Sequence, residues 1–186
     1  MADHRYQRTD IDIQNAFLHL VDRMPYEQVT VAQVVEEAMI TRTTFYNHYQ
    51  DLPTLATQMI HALLAEFAEV LNKRFTLAPD TGNVHQIITS LLPEVQQVVL
   101  TQREKTRVLR KITVGGLTID RGIHQIVQQI THQSLRDESG TYEQAILNAI
   151  LATGLDHFLD TGELPSMTSI QTSLQNIAAL ILPSDV

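Results

Sequence analysis

An all-α architecture is what this sequence predicts, and three observations predict it. Apolar side chains recur every three to four residues instead of alternating, the period of a helix with one buried face. Glycine and proline are scarce, 7 and 6 among 186 residues, so long stretches run without a breaker. Valine-rich alternation of strand type is scarce too, and no tandem repeat is present. With 44% apolar and 18% charged residues the chain can bury a core, which excludes wholesale disorder. The absence of cysteine removes disulfides, thiolate zinc sites, iron–sulfur clusters and cysteine nucleophiles together. The N-terminus, Met1 to Arg8, is polar, and no apolar run approaches the roughly 18 residues of a membrane span. A cytoplasmic protein with no membrane partner is expected. The net charge of −8 argues against polyanion binding over the whole surface, but leaves room for a local basic patch.

The elements follow in order. After Thr9, the residues Ile13, Phe17, Leu20, Val21 and Met24 share one face, with Ala16 beside them. They predict a helix of about four turns, stopped at Met24-Pro25 because a residue before proline avoids the α region. Thr30-Val31-Ala32-Gln33 reads as a capping box opening a short helix from Val31 to Ala38. Thr41 offers a second cap, for a helix through Arg42, Phe45 and Tyr46 to about Tyr49. Two short helices joined by a tight turn form a helix-turn-helix candidate. Asp51 caps a further start, with Pro53 in the first turn, where its missing N–H costs nothing. From there Leu52, Leu55, Met59, Leu63, Phe67, Val70 and Leu71 carry a long helix towards Phe75.

A break is expected at 77–83, then helical segments at about 84–91, 93–113 and 117–136, punctuated by Pro93 and Gly115-Gly116. In the last of these Ile119, Ile123, Ile126 and Ile130 share a face opposite Gln125, Gln128, Gln129 and Gln133. The stretch from Tyr142 to Leu159 is apolar on every side, with Glu143 and Asp156 its only fully charged residues, so it must be buried on every side. Met167, Ile170, Leu174, Ile177 and Ile181 follow a 3-4-3-4 spacing suited to a helix–helix seam. These last two helices are read as a dimer-forming pair, with Ala145, Ala149, Ile170, Leu174, Ile177 and Ile181 at the interface of a homodimer.

The segment Thr30 to Tyr49, TVAQVVEEAMITRTTFYNHY, resembles the helix-turn-helix of the tetracycline-repressor-like (TetR/AcrR) family of bacterial regulators. Thr30, Ala38, Ile40, Thr41, Thr44, Phe45, Tyr46, His48 and Tyr49 carry the match. The helix with Ile13, Ala16 and Phe17 and the aspartate-capped helix bearing Leu55 extend it to about residues 8–60. The resemblance implies a DNA-binding domain over 1–52 and a helical effector-binding and dimerisation domain over 53–186. It further implies ligand-responsive transcriptional control, usually repression, on a palindromic double-stranded operator, with an unidentified small-molecule effector. Three positions depart from the pattern. Met39 stands where the family usually has glycine, Leu52 where a lysine commonly approaches a phosphate, and in residues 1–51 four arginines face eight acids, a net −4.

Within the motif no acid occurs from Ala38 to Gln50. The N-terminal residues of a recognition helix meet base edges in the major groove. Arg42, Thr43 and Thr44 are therefore the candidate readers, arginine favouring guanine and threonine able to touch a thymine methyl. Tyr46, Asn47 and His48 are candidate phosphate donors. The helix starts at Thr30 and Thr41 add backbone amides suited to an anion, and Phe45 is the anchor of the recognition helix.

Elsewhere, Arg103, Lys105, Arg107, Arg110 and Lys111 read as a solvated basic face, and Gly115-Gly116 as a helix break or a hinge. Asp120 with His124, and His157 with Asp160, lack a third ligand, so no metal and no cofactor are expected. A neutral or amphipathic organic effector is expected, held by apolar walls and a few polar groups such as His124, Gln125 and Gln128. No GxSxG, Walker, HExxH or dinucleotide glycine motif is present, which points away from an enzyme. The alternative class is an adaptor or co-activator that keeps the regulator fold but acts through a protein partner.

Overall fold

The computed structural model describes residues 2–77, 100–134, 141–163 and 166–181, and these form helices joined by turns. In chain order they are α1 (Ala2–Arg23), a single 3-10 turn (Tyr26–Gln28), α2 (Val31–Glu37), α3 (Arg42–His48), α4 (Leu52–Leu77), α5 (100–109), α6 (Ile119–Ser134), α7 (Thr141–Thr161) and α8 (Met167–Ile181). The all-α prediction therefore holds. The expected break at 77–83, the segment at 84–91 and the start of the one at 93–113 lie outside the described residues.

The apolar stripes read from the sequence become one continuous core. Ile13, Phe17 and Val21 of α1 meet Val34 of α2 and Phe45 of α3 over the first turns of α4, where Leu55, Met59 and Ile60 are fully covered. Further along α4, Leu63 and Phe67 continue into Leu109 and Ile112, Ile119 and Ile123 of α6, and Phe158 of α7. Helix α4 thus belongs to both halves. It is capped as expected, Asp51 accepting a 2.7 Å hydrogen bond from the Thr54 amide. The Thr54 hydrogen bonds hold the Asp51 carboxyl below the usual range. Helices α4 and α6 cross closely at Gly122, where a β-carbon would lie 2.2 Å from a methyl of Leu64.

Two expectations are corrected, and two are refined. Helix α1 starts at Ala2, about two turns earlier than read. The Thr9 hydroxyl lies inside the helix and donates to the Arg5 carbonyl at 3.0 Å, and the Tyr6 ring gives those first turns a tertiary partner. After 109, where the sequence continues a helix to 113, the chain turns instead. Gly115 and Gly116, with φ of 56° and 80°, occupy the centre of a tight reversal between Val114 and Leu117, which exchange N–H···O bonds of 3.1 and 2.8 Å. Positive φ at both central residues is what a type I′ reversal demands, so the glycine pair breaks the helix with a hydrogen-bonded turn. Within the single chain one side of helix α7 is open, as its reading as part of a dimer-forming pair allows: Ala145, Ile146 and Ala149 are exposed, Ile146 at 44%. The basic stripe that begins in α5 is solvated in part, as expected, but also engaged in ion pairs. Arg107, Arg110 and Lys111 are turned onto acids of α1, α6 and α7.

Candidate nucleic-acid interface

The geometry of the motif is set by three local devices. Thr30 and Gln33 form the capping box: the Gln33 amide donates to Thr30 Oγ1 at 3.3 Å and the Thr30 amide to Gln33 Oε1 at 2.9 Å. At the other end of α2, Met39 adopts φ 53°. Its amide donates to the Glu36 carbonyl, and the Ile40 amide reaches back to that of Val35 at 3.0 Å. That pair of bonds is a Schellman motif with methionine in the left-handed position usually held by glycine. Thr41 then caps α3, accepting from the Thr44 amide at 3.1 Å, and the two threonine hydroxyls share a 2.8 Å hydrogen bond.

Phe45 is completely buried and turns the rest of α3 outward. Arg42, Thr43, Tyr46 and Asn47 are exposed, Tyr46 at 56%. Thr44 is half-buried, with both amide and hydroxyl engaged at the cap, so its side chain shapes the helix start instead of projecting from it. The four exposed residues present a guanidinium, a hydroxyl, a phenol and a carboxamide, which can donate to base edges or phosphate oxygens.

His48 departs from its expected role as a phosphate donor. Its side chain is only 4% exposed, stacked on Tyr6 with ring centroids 3.9 Å apart and with Nδ1 3.4 Å from Asp10 Oδ1. It belongs to a polar cluster that ties the end of α3 to α1. The Tyr49 hydroxyl donates to Asp10 Oδ1 at 2.6 Å, while Gln14 Nε2 donates to Asp10 Oδ2 at 2.9 Å and to the Tyr49 oxygen at 3.1 Å. Burial first, and then the hydrogen bond to Asp10, hold the Tyr49 phenol well above its ordinary range, so it stays a donor. Sequence reasoning missed Tyr6, Asp10 and Gln14. The signal that could have found them is their four-residue spacing, a polar strip on α1 beside its apolar face.

Of the residues assigned to the dimer seam, Ala145, Ala149 and Ile177 are exposed in the single chain, Ile177 at 50%, and Ile170 is half-buried. The side chains of Leu174 and Ile181 lie outside the described residues. An open groove of about 750 Å³ runs between α7 and α8, with Ile150, His157, Ser169, Ile170 and Ile177 in its walls. Among the described residues no group of three metal-type side chains gathers, and no helix is long and apolar enough to cross a membrane. Asp120 is turned to Arg110 instead of pairing with His124.

No family model matches the chain. A stretch of 70 residues is 34% identical to part of the "uncharacterized HTH-type transcriptional regulator YxbF" of Bacillus subtilis (strain 168). That stretch is 37% of this chain and 18% of that relative. The likeness is thus of domain size, and the protein it reaches is a helix-turn-helix regulator.

Proposed function

We propose that this chain is a sequence-specific DNA-binding transcriptional regulator of the TetR/AcrR type, acting as a homodimeric repressor on a palindromic operator and released by a small organic effector. One observation carries the DNA reading. Arg42, Thr43, Tyr46 and Asn47 project together from a recognition helix whose apolar anchor, Phe45, is fully buried, in a stretch without an acid. The likeness to a helix-turn-helix regulator supports it independently.

The dimer reading rests on the exposed apolar residues of α7 and α8, which a second copy would cover by twofold symmetry. Recognition helices of such a dimer must match half-sites roughly 34–36 Å apart, so an effector acts by binding a dimer arrangement with a different separation more tightly. A neutral or amphipathic effector is favoured, because Arg107, Arg110 and Lys111, which would hold an anion, are already answered by Asp22, Asp120 and Asp160.

The test is selection of DNA fragments by the purified protein, followed by binding of the selected site by wild type and Arg42→Ala. A base-reading arginine predicts a loss of about 1–3 kcal/mol and flattened preference at one position of each half-site. An equal loss on every sequence makes Arg42 a phosphate contact, and no DNA selection at all returns the adaptor reading.

A further inference from the structure

Helix α5 and the turn after it carry two sets of ion pairs that point in different directions. On one side, Arg107 forms a two-pronged contact with Asp22 in the last turn of α1, Nη1 donating to Oδ1 at 2.9 Å and Nη2 to Oδ2 at 3.0 Å. Lys111 Nζ donates to the same Asp22 Oδ1 at 2.6 Å and approaches its carbonyl at 3.3 Å. Glu104, one turn earlier, steadies Arg107 from within α5. On the other side, Arg110 donates to Asp120 of α6 at 2.7 Å and to Asp160 of α7 at 2.6 Å, with Asp156 Oδ1 3.7 Å away. Arg103 reaches the Asp160 carbonyl at 3.5 Å. An open cleft of about 420 Å³ is walled by residues of both sets, Arg107 and Lys111 from one and Arg103, Arg110 and Asp160 from the other. Each of Arg107, Arg110 and Lys111 is answered by an acid, so the cleft is not a site of unpaired cations.

We propose that Arg107 and Lys111 are positioning residues: through Asp22 they clasp the helix-turn-helix unit to α5, so that displacements of α6 and α7, felt by Arg110, are carried to the orientation of the recognition helix. Arg107 and Arg110 are three residues apart at the C-terminal end of α5, and the backbone between them is helical. A shift that pulls Arg110 therefore moves Arg107 with it. Asp22 lies on the same helix as Tyr6, Asp10 and Gln14, whose cluster fixes the end of α3, so a movement of α1 moves the recognition helix as a body. The two-pronged geometry gives the contact a direction, while its partial exposure keeps it weak enough to exchange. Hydrogen bonds from Arg107 and then Lys111 hold the Asp22 carboxyl far below the usual carboxylate range. Salt, and not physiological pH, is accordingly what loosens the clasp.

The clasp is a statement about orientation and stands apart from DNA binding; only its consequence for recognition rests on the function proposed above. Because the chain has no cysteine, spin labels can be placed at Gln50→Cys and Gln125→Cys on an otherwise unchanged protein, diluted with unlabelled chain. Double electron–electron resonance should give one narrow distance peak in moderate salt. Asp22→Asn and Arg107→Met should each broaden it, their combination should broaden it no further than Asp22→Asn alone, and the full charge exchange Asp22→Lys, Glu104→Lys, Arg107→Glu and Lys111→Glu, which keeps every pair opposite in sign, should restore the single peak, while thermal melts stay cooperative. The parent protein in 1 M salt should broaden in the same way, a check that needs no variant to fold. A peak unchanged by all of these, or broadening that the charge exchange does not reverse, overturns the clasp. Operator binding by the parent chain is the separate arm, whose failure sinks the DNA reading and leaves the distance result standing.

Discussion

The N-terminal unit and the C-terminal helices use their apolar side chains differently. In α1 to α3 the stripe residues Ile13, Phe17, Val34 and Phe45 all turn inward onto the start of α4, and the starts of α2 and α3 are capped by threonines of the connecting segments. The unit closes on itself. In α7 and α8, Ile146 and Ile177 stay open to solvent, and the charges of Arg110, Asp120 and Asp160 tie helices together across the fold. The contrast teaches that the helix starts of the first region are specified by neighbours in sequence, whereas the second region leaves apolar side chains that, in the proposed dimer, a second chain covers.

The largest break in that comparison comes from Phe45→Ala. Phe45 is fully buried among α1, α2 and α4, and removing a buried phenylalanine typically costs about 3–5 kcal/mol through lost transfer energy and the cavity left behind. Chemical denaturation followed by circular dichroism should show the loss, with the N-terminal unit melting first. If stability falls by less than 1 kcal/mol, the unit is not closed around this side chain.

Ile177→Glu sharpens the other half. Within one chain Ile177 is half exposed, so a charge there should change monomer stability by no more than about 0.5 kcal/mol. In a dimer seam the same glutamate is desolvated without a partner and should dissociate the pair. Light scattering decides: monomer with an unaltered melt supports the seam, and an intact dimer removes Ile177 from it.

The same division explains what was legible. The capping box at Thr30, the cap at Thr41, the aspartate cap of α4 and the anchor Phe45 are all short-range devices whose partners sit within four residues or on a regular stripe. His48 was misread because its environment is made by Tyr6 and Asp10, some forty residues earlier in the chain. The acid partners of the basic stripe were not legible for the same reason. The spacing of the stripe looks like a solvated face, and only the fold brings Asp22 and Asp160 to it. The early start of α1 was hidden because a threonine serves equally as a cap or, as Thr9 does, as a residue bonded back to the preceding turn.

The smallest effect concerns a single backbone angle. Met39 sits at φ 53° and is 92% exposed, so it contributes almost no packing, while a β-carbon in the left-handed region is strained by about 1–2 kcal/mol. Glycine removes that strain but gives the unfolded chain more freedom, which returns roughly 0.4–1 kcal/mol. Met39→Gly should therefore stabilise the N-terminal unit by about 0.5–1 kcal/mol, and Met39→Ala, which keeps the β-carbon, should change little. Paired thermal melts measure the difference. A glycine variant no more stable than the alanine one would mean that the Ile40-to-Val35 and Met39-to-Glu36 hydrogen bonds hold the turn without strain, and that even this local feature is set by the surrounding fold.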